Sequence, residues 1–151
     1  MILEVFRSKK NIFIIGVPII ITVLVIYLTP LKNLSIIEPQ IKDIPAQEFN
    51  DAFRKNPDGY IFIDVRPVAD YNRIHASGSI SMPLHTLYNE RLNLPKRGKT
   101  IVLICSGGFA SGVGYMYLEH YGFLNVRRVG GGIEAWHATG LPVETELLKS
   151  L

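Results

Sequence analysis

The sequence predicts a small α/β domain, with a central parallel sheet flanked by helices, preceded by one transmembrane helix. Three observations carry this. Tyr60 to Val65 and Thr100 to Ile104 are nearly continuous apolar runs rich in β-branched residues, as in strands buried on both faces of a parallel sheet. Amphipathic stretches alternate with these runs, the pattern of an α/β fold. Asn11 to Leu31 is a run of 21 uncharged residues.

That run sets the organisation of the chain. Ile12 to Leu28 is apolar at every position except Gly16, Pro18 and Thr22. At about 1.5 Å per residue it is long enough for the ~30 Å hydrocarbon core of a bilayer, where Gly and Pro are tolerated. A buried core helix rarely lacks charge over such a length. A cleaved signal peptide has a shorter apolar stretch, about 7 to 15 residues, and a small-x-small cleavage site. Tyr27 to Leu31 offers no such site, so an uncleaved anchor is expected. The expected organisation is a basic cytoplasmic segment over 1–11, a transmembrane helix over 12–31, a linker over 32–40 and a folded domain over 41–151.

Charge agrees with this division. The 151 residues hold 16 Lys and Arg against 13 Asp and Glu, a net of +3. Residues 1–32 account for all of it, through Arg7, Lys9, Lys10 and Lys32 against Glu4; the remainder carries 12 charges of each sign. Arg7, Lys9 and Lys10 precede the apolar run, so the positive-inside rule places the N-terminus in the cytoplasm and the domain on the noncytoplasmic side, periplasmic or extracellular. A neutral domain lacks the basic cluster that displaces counterions from phosphates, so no nucleic acid partner is expected.

Within the domain, Pro45 suits the first position of a helix that continues through Phe49, Ala52 and Phe53. Ser111 to Tyr121 reads as a further helix closed by Gly122. A strand over Asn125 to Val129 follows, then a turn at Gly130, Gly131 and Gly132 and a short helix through Trp136, expected in the core. Asp64 and Arg66, at a strand end, read as an ion pair supporting the pocket. His75, His85, His120 and His137 read as hydrogen-bonded structural residues. Arg127, Arg128, Lys96, Arg97 and Lys99 read as solvated charges.

Ligands of open parallel sheets bind beyond the carboxyl ends of the strands. Cys105, the one cysteine, stands there: it follows the strand over Thr100 to Ile104 and opens the loop Ser106-Gly107-Gly108-Phe109-Ala110. Glycines at 107 and 108 let successive N–H groups turn inward at a helix N-terminus, a cradle that favours an anion and hence a thiolate. An inert buried cysteine is the alternative. One cysteine excludes an internal disulfide, and no His or Cys pair has metal-ligand spacing.

These residues resemble the rhodanese-like sulfurtransferases over about 110 residues from Ile41. Asp64-Val65-Arg66 with Asp70-Tyr71 looks like the family's first signature, continued by His75, Gly78 and Pro83. Cys105 to Ser111 aligns with the active-site loop, usually Cys-x-x-Gly-x-Arg-Ser. Gly122-Phe123, Val126, Gly131 to Trp136 and Gly140 to Val143 match the closing segment. The resemblance implies a rhodanese-like fold and transfer of sulfane sulfur from a donor, thiosulfate or a persulfide, to a thiophilic acceptor through a Cys105 persulfide. It implies no metal or organic cofactor. Cys105 is the implied nucleophile, and the backbone N–H groups of Ser106, Gly107, Gly108, Phe109, Ala110 and Ser111 are the implied substrate cradle. The Ser111 hydroxyl either caps the helix or donates to the anion.

Ala110 departs from the family pattern, since the loop usually holds Arg there. A guanidinium would grip an oxyanion such as thiosulfate through paired, charge-assisted bonds. Its absence points to a less charged donor, such as a protein or low-molecular-weight persulfide, or to a catalytically weak binding or sulfur/redox-sensing module. The related dual-specificity phosphatases and arsenate reductases use Cys-x5-Arg. Here the sixth residue after Cys105 is Ser111, which excludes the arginine that phosphoryl transfer needs.

Overall fold

The structure, a computed structural model, describes residues 9–28 and 40–145, and the side chains of residues 16–25 and 40–145. The chain divides into two units at Gln40 and Ile41.

In the first unit, helix α1 runs over Lys9–Leu28, 20 residues with Pro18 inside it. The Thr22 hydroxyl donates to the Pro18 carbonyl at 2.8 Å, so this lone polar side chain of the apolar run is satisfied within the helix. Val17, Ile19, Ile20, Ile21, Val23, Leu24 and Val25 are all exposed. The span expected over 12–31 is not reproduced as such. Residues 29–31 lie outside the described residues, as do residues 1–8 of the basic segment expected over 1–11 and residues 32–39 of the linker expected over 32–40. Among the described residues, no helix is long and apolar enough to cross a membrane. Helix α1 instead begins at Lys9, so its 20 residues take in Lys9, Lys10 and Asn11 ahead of the apolar run that starts at Ile12.

The second unit is built on short parallel strands: β1 (Asp43–Ile44), β2 (Tyr60–Asp64), β4 (Ile80–Ser81), β5 (Thr100–Ile104) and β6 (Val126–Val129). They lie in the order β1-β6-β5-β2-β4, every pairing parallel. Strands β3 (His75–Ala76) and β7 (Val143–Glu144) form a separate antiparallel pair. The helices are α2 (Ala46–Lys55), α3 (Val68–Arg73), α4 (Leu87–Glu90), α5 (Phe109–His120) and α6 (Gly132–Ala138).

Two apolar clusters cover the two faces of the sheet. Phe62, Val102, Ile104 and Val129 meet Phe49, Ile133 and Trp136 in one; Ile63, Ile101, Leu103, Cys105 and Val126 meet Tyr115 and Leu118 in the other. Side chains along a strand alternate between faces, so a strand covered on both sides must be apolar at every position. This is why β2 and β5 read as nearly unbroken apolar runs, β2 ending in Asp64 at the site. It also sends Cys105 to the face that packs against α5. Trp136 is fully buried in the first cluster and donates its indole N–H to the Pro142 carbonyl at 2.9 Å.

Two helix starts differ from the sequence reading. Pro45 is the N-cap rather than the first helical residue of α2, because its extended ψ of 141° lies outside the helical range. Helix α5 starts at Phe109, two residues before the expected Ser111, and its N-cap is Gly108. At its other end Gly122 donates to the Glu119 carbonyl and Phe123 to that of Leu118, the paired bonds of a Schellman termination.

Candidate active site

The carboxyl ends of β2 and β5 lie side by side, with Asp64 opposite Ile104. Cys105 follows immediately and is 2% exposed. Its Sγ accepts a hydrogen bond from the Gly108 N–H at 3.1 Å and lies 3.3 Å from the Ser111 hydroxyl. Ser111, fully buried in the first turn of α5, also donates to the Gly108 carbonyl at 3.1 Å. It is therefore not the N-cap. A hydroxyl three residues past the cap reaches back to the sulfur and to the cap carbonyl. Of the N–H groups expected to cradle the sulfur, the one in contact is that of Gly108, which a φ of +111° turns inward.

The start of α6 holds the loop from the other side. Ile133 and Glu134 donate their backbone N–H groups to the carbonyls of Cys105 and Ser106, at 2.7 and 3.2 Å. Gly132 permits this approach: a Cβ there would stand 2.3 Å from both of those carbonyl oxygens. The glycine turn before Trp136 thus serves the cysteine loop directly.

Asp64 and Arg66 form the expected pair. The Arg66 Nε lies 3.0 Å and Nη2 2.7 Å from the carboxylate, and Nη2 also donates to the Ile74 carbonyl at 2.6 Å. Asp64 accepts the Arg66 backbone N–H as well, and both residues are buried. A charge so fully engaged ties the end of β2 to the start of β3.

Cys105 opens on a cleft of about 650 Å³ walled mainly by Val65, Pro67, Pro83, Leu84, Phe109 and Ala110, with Arg66, His85, Ser106 and Gly107. Phe109 is 87% exposed. A second groove of about 470 Å³ shares Arg66 and Ser106 and continues past Arg73, Glu134 and His137. Of the four histidines, only His75 is the buried structural residue expected, bonded through Nδ1 to the Tyr71 carbonyl at 2.8 Å. His85, His120 and His137 are exposed, and His85 and His137 line these grooves.

Sequence reasoning missed Arg128. Far from being a free strand-edge charge, it is held by Asp43 through two bonds of 2.7 Å and donates Nη1 to the Gly108 carbonyl at 2.8 Å. Its pKa is raised, first by the hydrogen bonds to Asp43, against the opposing effect of burial, with the charges of Asp43 and Cys105 adding to the rise. The alternation of β6 could have shown that Arg127 and Arg128 face opposite sides of the sheet; it could not show Asp43 waiting on β1.

The fold and site together define an α/β protein with its one cysteine at the carboxyl edge of the sheet, held in a loop that presents an N–H and a hydroxyl to the sulfur. The rhodanese-like domain family matches residues 45–139, and the chain belongs to that family. It is 32% identical over 106 residues to the thiosulfate sulfurtransferase GlpE of Pseudomonas fluorescens, covering 70% of this chain and 93% of that protein. It is 34% identical over 96 residues to the tRNA uridine(34) hydroxylase of Hamiltonella defensa, covering 60% of this chain. The match spans 26% of that hydroxylase, and 30% of the one from Pectobacterium carotovorum. The crystal structure of a rhodanese-related protein from Thermoplasma volcanium superposes with a TM-score of 0.59 at 28% identity, covering 68% of this chain and 97% of that one.

Proposed function

We propose that the chain is a membrane-anchored sulfurtransferase that carries sulfane sulfur on Cys105 and takes it from a donor with little charge. The observation that carries the reading is the position of Sγ, in contact with the Gly108 N–H and the Ser111 hydroxyl at the edge of a largely apolar cleft. The Cys105 thiolate attacks the outer sulfur of a donor persulfide, R–S–SH. The new S–S bond forms at Cys105 as the donor's S–S bond breaks, and the donor leaves as the thiolate RS⁻. An acceptor thiolate then attacks the outer sulfur of the Cys105 persulfide and releases the cysteine thiolate. The two half-reactions are balanced without oxidant or reductant.

Ala110 and the apolar wall favour a persulfide on a low-molecular-weight or protein body, which has no anionic sulfonate beside the reacting sulfur, over the thiosulfate dianion, for which the cleft offers Arg66 already spent on Asp64. The test is intact mass spectrometry of the full chain, purified with detergent, after exposure to thiosulfate or to glutathione persulfide. One added sulfur atom is expected on Cys105, more readily from the persulfide, and absent in Cys105→Ser. No adduct from either donor, or an adduct that thiols do not remove, supports instead the catalytically weak binding or sulfur/redox-sensing module that Ala110 also suggests.

The anchor and location belong to the same proposal. Support comes from the 20 residues of α1, its apolar residues distributed around the whole helix without a polar face, and the basic residues ahead of the run. The chain is expected to stay with membranes after alkaline carbonate extraction, and residues 41–151 to be digested by protease added to spheroplasts. Release by carbonate overturns the anchor; protection in intact spheroplasts with digestion after lysis overturns the orientation.

A further inference from the structure

Arg128 reaches the cysteine loop from outside the cleft wall. Its Nε and Nη2 are fixed on the Asp43 carboxylate, leaving Nη1 to donate to the Gly108 carbonyl at 2.8 Å. That oxygen also receives the Gly112 N–H at 3.0 Å and the Ser111 hydroxyl at 3.1 Å. The same Gly108 supplies the N–H that meets Sγ. The fit is close: a Cβ on Gly112 would stand 2.9 Å from Nη1, and one on Gly108 3.7 Å.

We infer that Arg128, oriented by Asp43, is a positioning residue for the Cys105 thiolate, holding Gly108 in place while the Ser111 hydroxyl turns its proton from the Gly108 carbonyl to the sulfur. As a thiol, Cys105 can donate to Ser111 Oγ while the Ser111 hydroxyl donates its hydrogen bond to the Gly108 carbonyl. Ionisation reverses the requirement, because the thiolate accepts and has nothing to donate. The Ser111 proton must then swing to Sγ, and a buried carbonyl stripped of a donor is costly. Arg128 and Gly112 keep that oxygen satisfied, and the cation also favours the anionic sulfur. The positive charge missing at Ala110 is thus supplied from β6, where it can assist the thiolate but not grip an incoming oxyanion.

The other charged groups around Cys105 leave this role open. Arg66, after β2, is engaged by Asp64; His85, after β4, lines the cleft; Glu134, on α6, stands 3.5 Å from where a Gly107 Cβ would be. The inference rests on Cys105 as the reactive thiol, but its test requires no sulfur donor. Because Cys105 is the one cysteine, iodoacetamide alkylation of the full chain across pH reads a single site. Arg128→Gln is expected to move the midpoint up by about one pH unit, an approximately tenfold loss of rate below it, with partial rescue in Arg128→Lys and a smaller rise in Asp43→Asn. In a Ser111→Ala background the Arg128→Gln shift is expected to shrink.

An unchanged midpoint in folded Arg128→Gln, or a shift of equal size with and without Ser111, overturns the inference. If Arg128→Gln does not fold by circular dichroism, unchanged profiles in both Arg128→Lys and Asp43→Asn overturn it. A chain that alkylates as expected but takes up no sulfur overturns the sulfur-transfer reading alone.

Discussion

The Sγ of Cys105 and the Oγ of Ser111 lie 3.3 Å apart, joined across the first turn of α5 by a loop that places Gly108 between them. Among the described residues, Ser111 is the one side chain in hydrogen-bond contact with that sulfur. Ser111→Ala is therefore expected to slow alkylation of Cys105 at neutral pH by about 10- to 100-fold, the worth of a hydrogen bond to a charged partner. Stability is expected to fall by only about 1 kcal/mol, since Gly108 keeps its other donors. Parallel alkylation and thermal unfolding separate the two effects. An unchanged alkylation rate would assign Ser111 to the helix alone.

Gly132 lets α6 approach the cysteine loop more closely than any residue with a side chain could. Its φ is +60°, and an added Cβ would stand 2.3 Å from the carbonyl oxygens of Cys105 and Ser106. Gly132→Ala is expected to destabilise the domain by about 3 kcal/mol or more, combining left-handed strain with weakened bonds from Ile133 and Glu134. Gly98→Ala is the control: its φ is +86° with open space around it, so about 1–2 kcal/mol of strain remains without a clash. Denaturant unfolding of both variants checks the difference.

Ala110 marks the limit of what the cleft can hold. It lines the wall beside Cys105 where a guanidinium would supply paired donors to an oxyanion. Ala110→Arg is expected to raise kcat/KM for thiosulfate about tenfold, with little change for a neutral persulfide. No gain with thiosulfate would show that the missing arginine does not limit the site.

Tyr115 makes alkaline stability measurable. Its pKa is raised above 10.0, first by burial and then by the charge of Glu119, whose carboxylate accepts its hydroxyl at 3.4 Å. A raised folded-state value means the stabilisation is intact below pH 10 and lost as pH climbs through the folded pKa. Unfolding midpoints should fall across that range in the parent chain and fall less in Tyr115→Phe.

The parts of the molecule legible in the sequence were those with a local signature. Strands β2 and β5 are apolar on both faces, so their composition announced them; Cys105 and its glycines are consecutive, and their spacing was enough to locate the loop. Short pieces such as β1, β3, β4 and β7 hold two residues each and carry no periodicity of their own. They exist through partners elsewhere in the chain. Arg128 was misread for the same reason, since Asp43 is 85 residues away and the loop it braces is 20 residues away. His85 and His137 could be assigned to grooves only once the loop after β4 was brought beside Cys105 and α6 beside Ser106.

Asp64 and Arg66 are two residues apart and joined by a pair of short bonds, yet almost no solvent reaches either side chain. A surface pair of this kind contributes about 0–1 kcal/mol, whereas breaking a buried one strands an uncompensated charge and costs about 3–5 kcal/mol. Arg66→Met is accordingly expected to cost about 3–5 kcal/mol, because Asp64 would keep its charge with only the backbone N–H of residue 66 for a partner. Asp64→Asn also strands a charge, but Arg66 retains the Ile74 carbonyl at 2.6 Å, so its loss should be smaller. The double variant should lose less than the sum of the two, since the second change removes the charge the first left unpaired. Urea unfolding of the four proteins gives the coupling energy directly. Strict additivity would mean that the two charges are not coupled and that Arg66 acts through its bond to the Ile74 carbonyl and its packing.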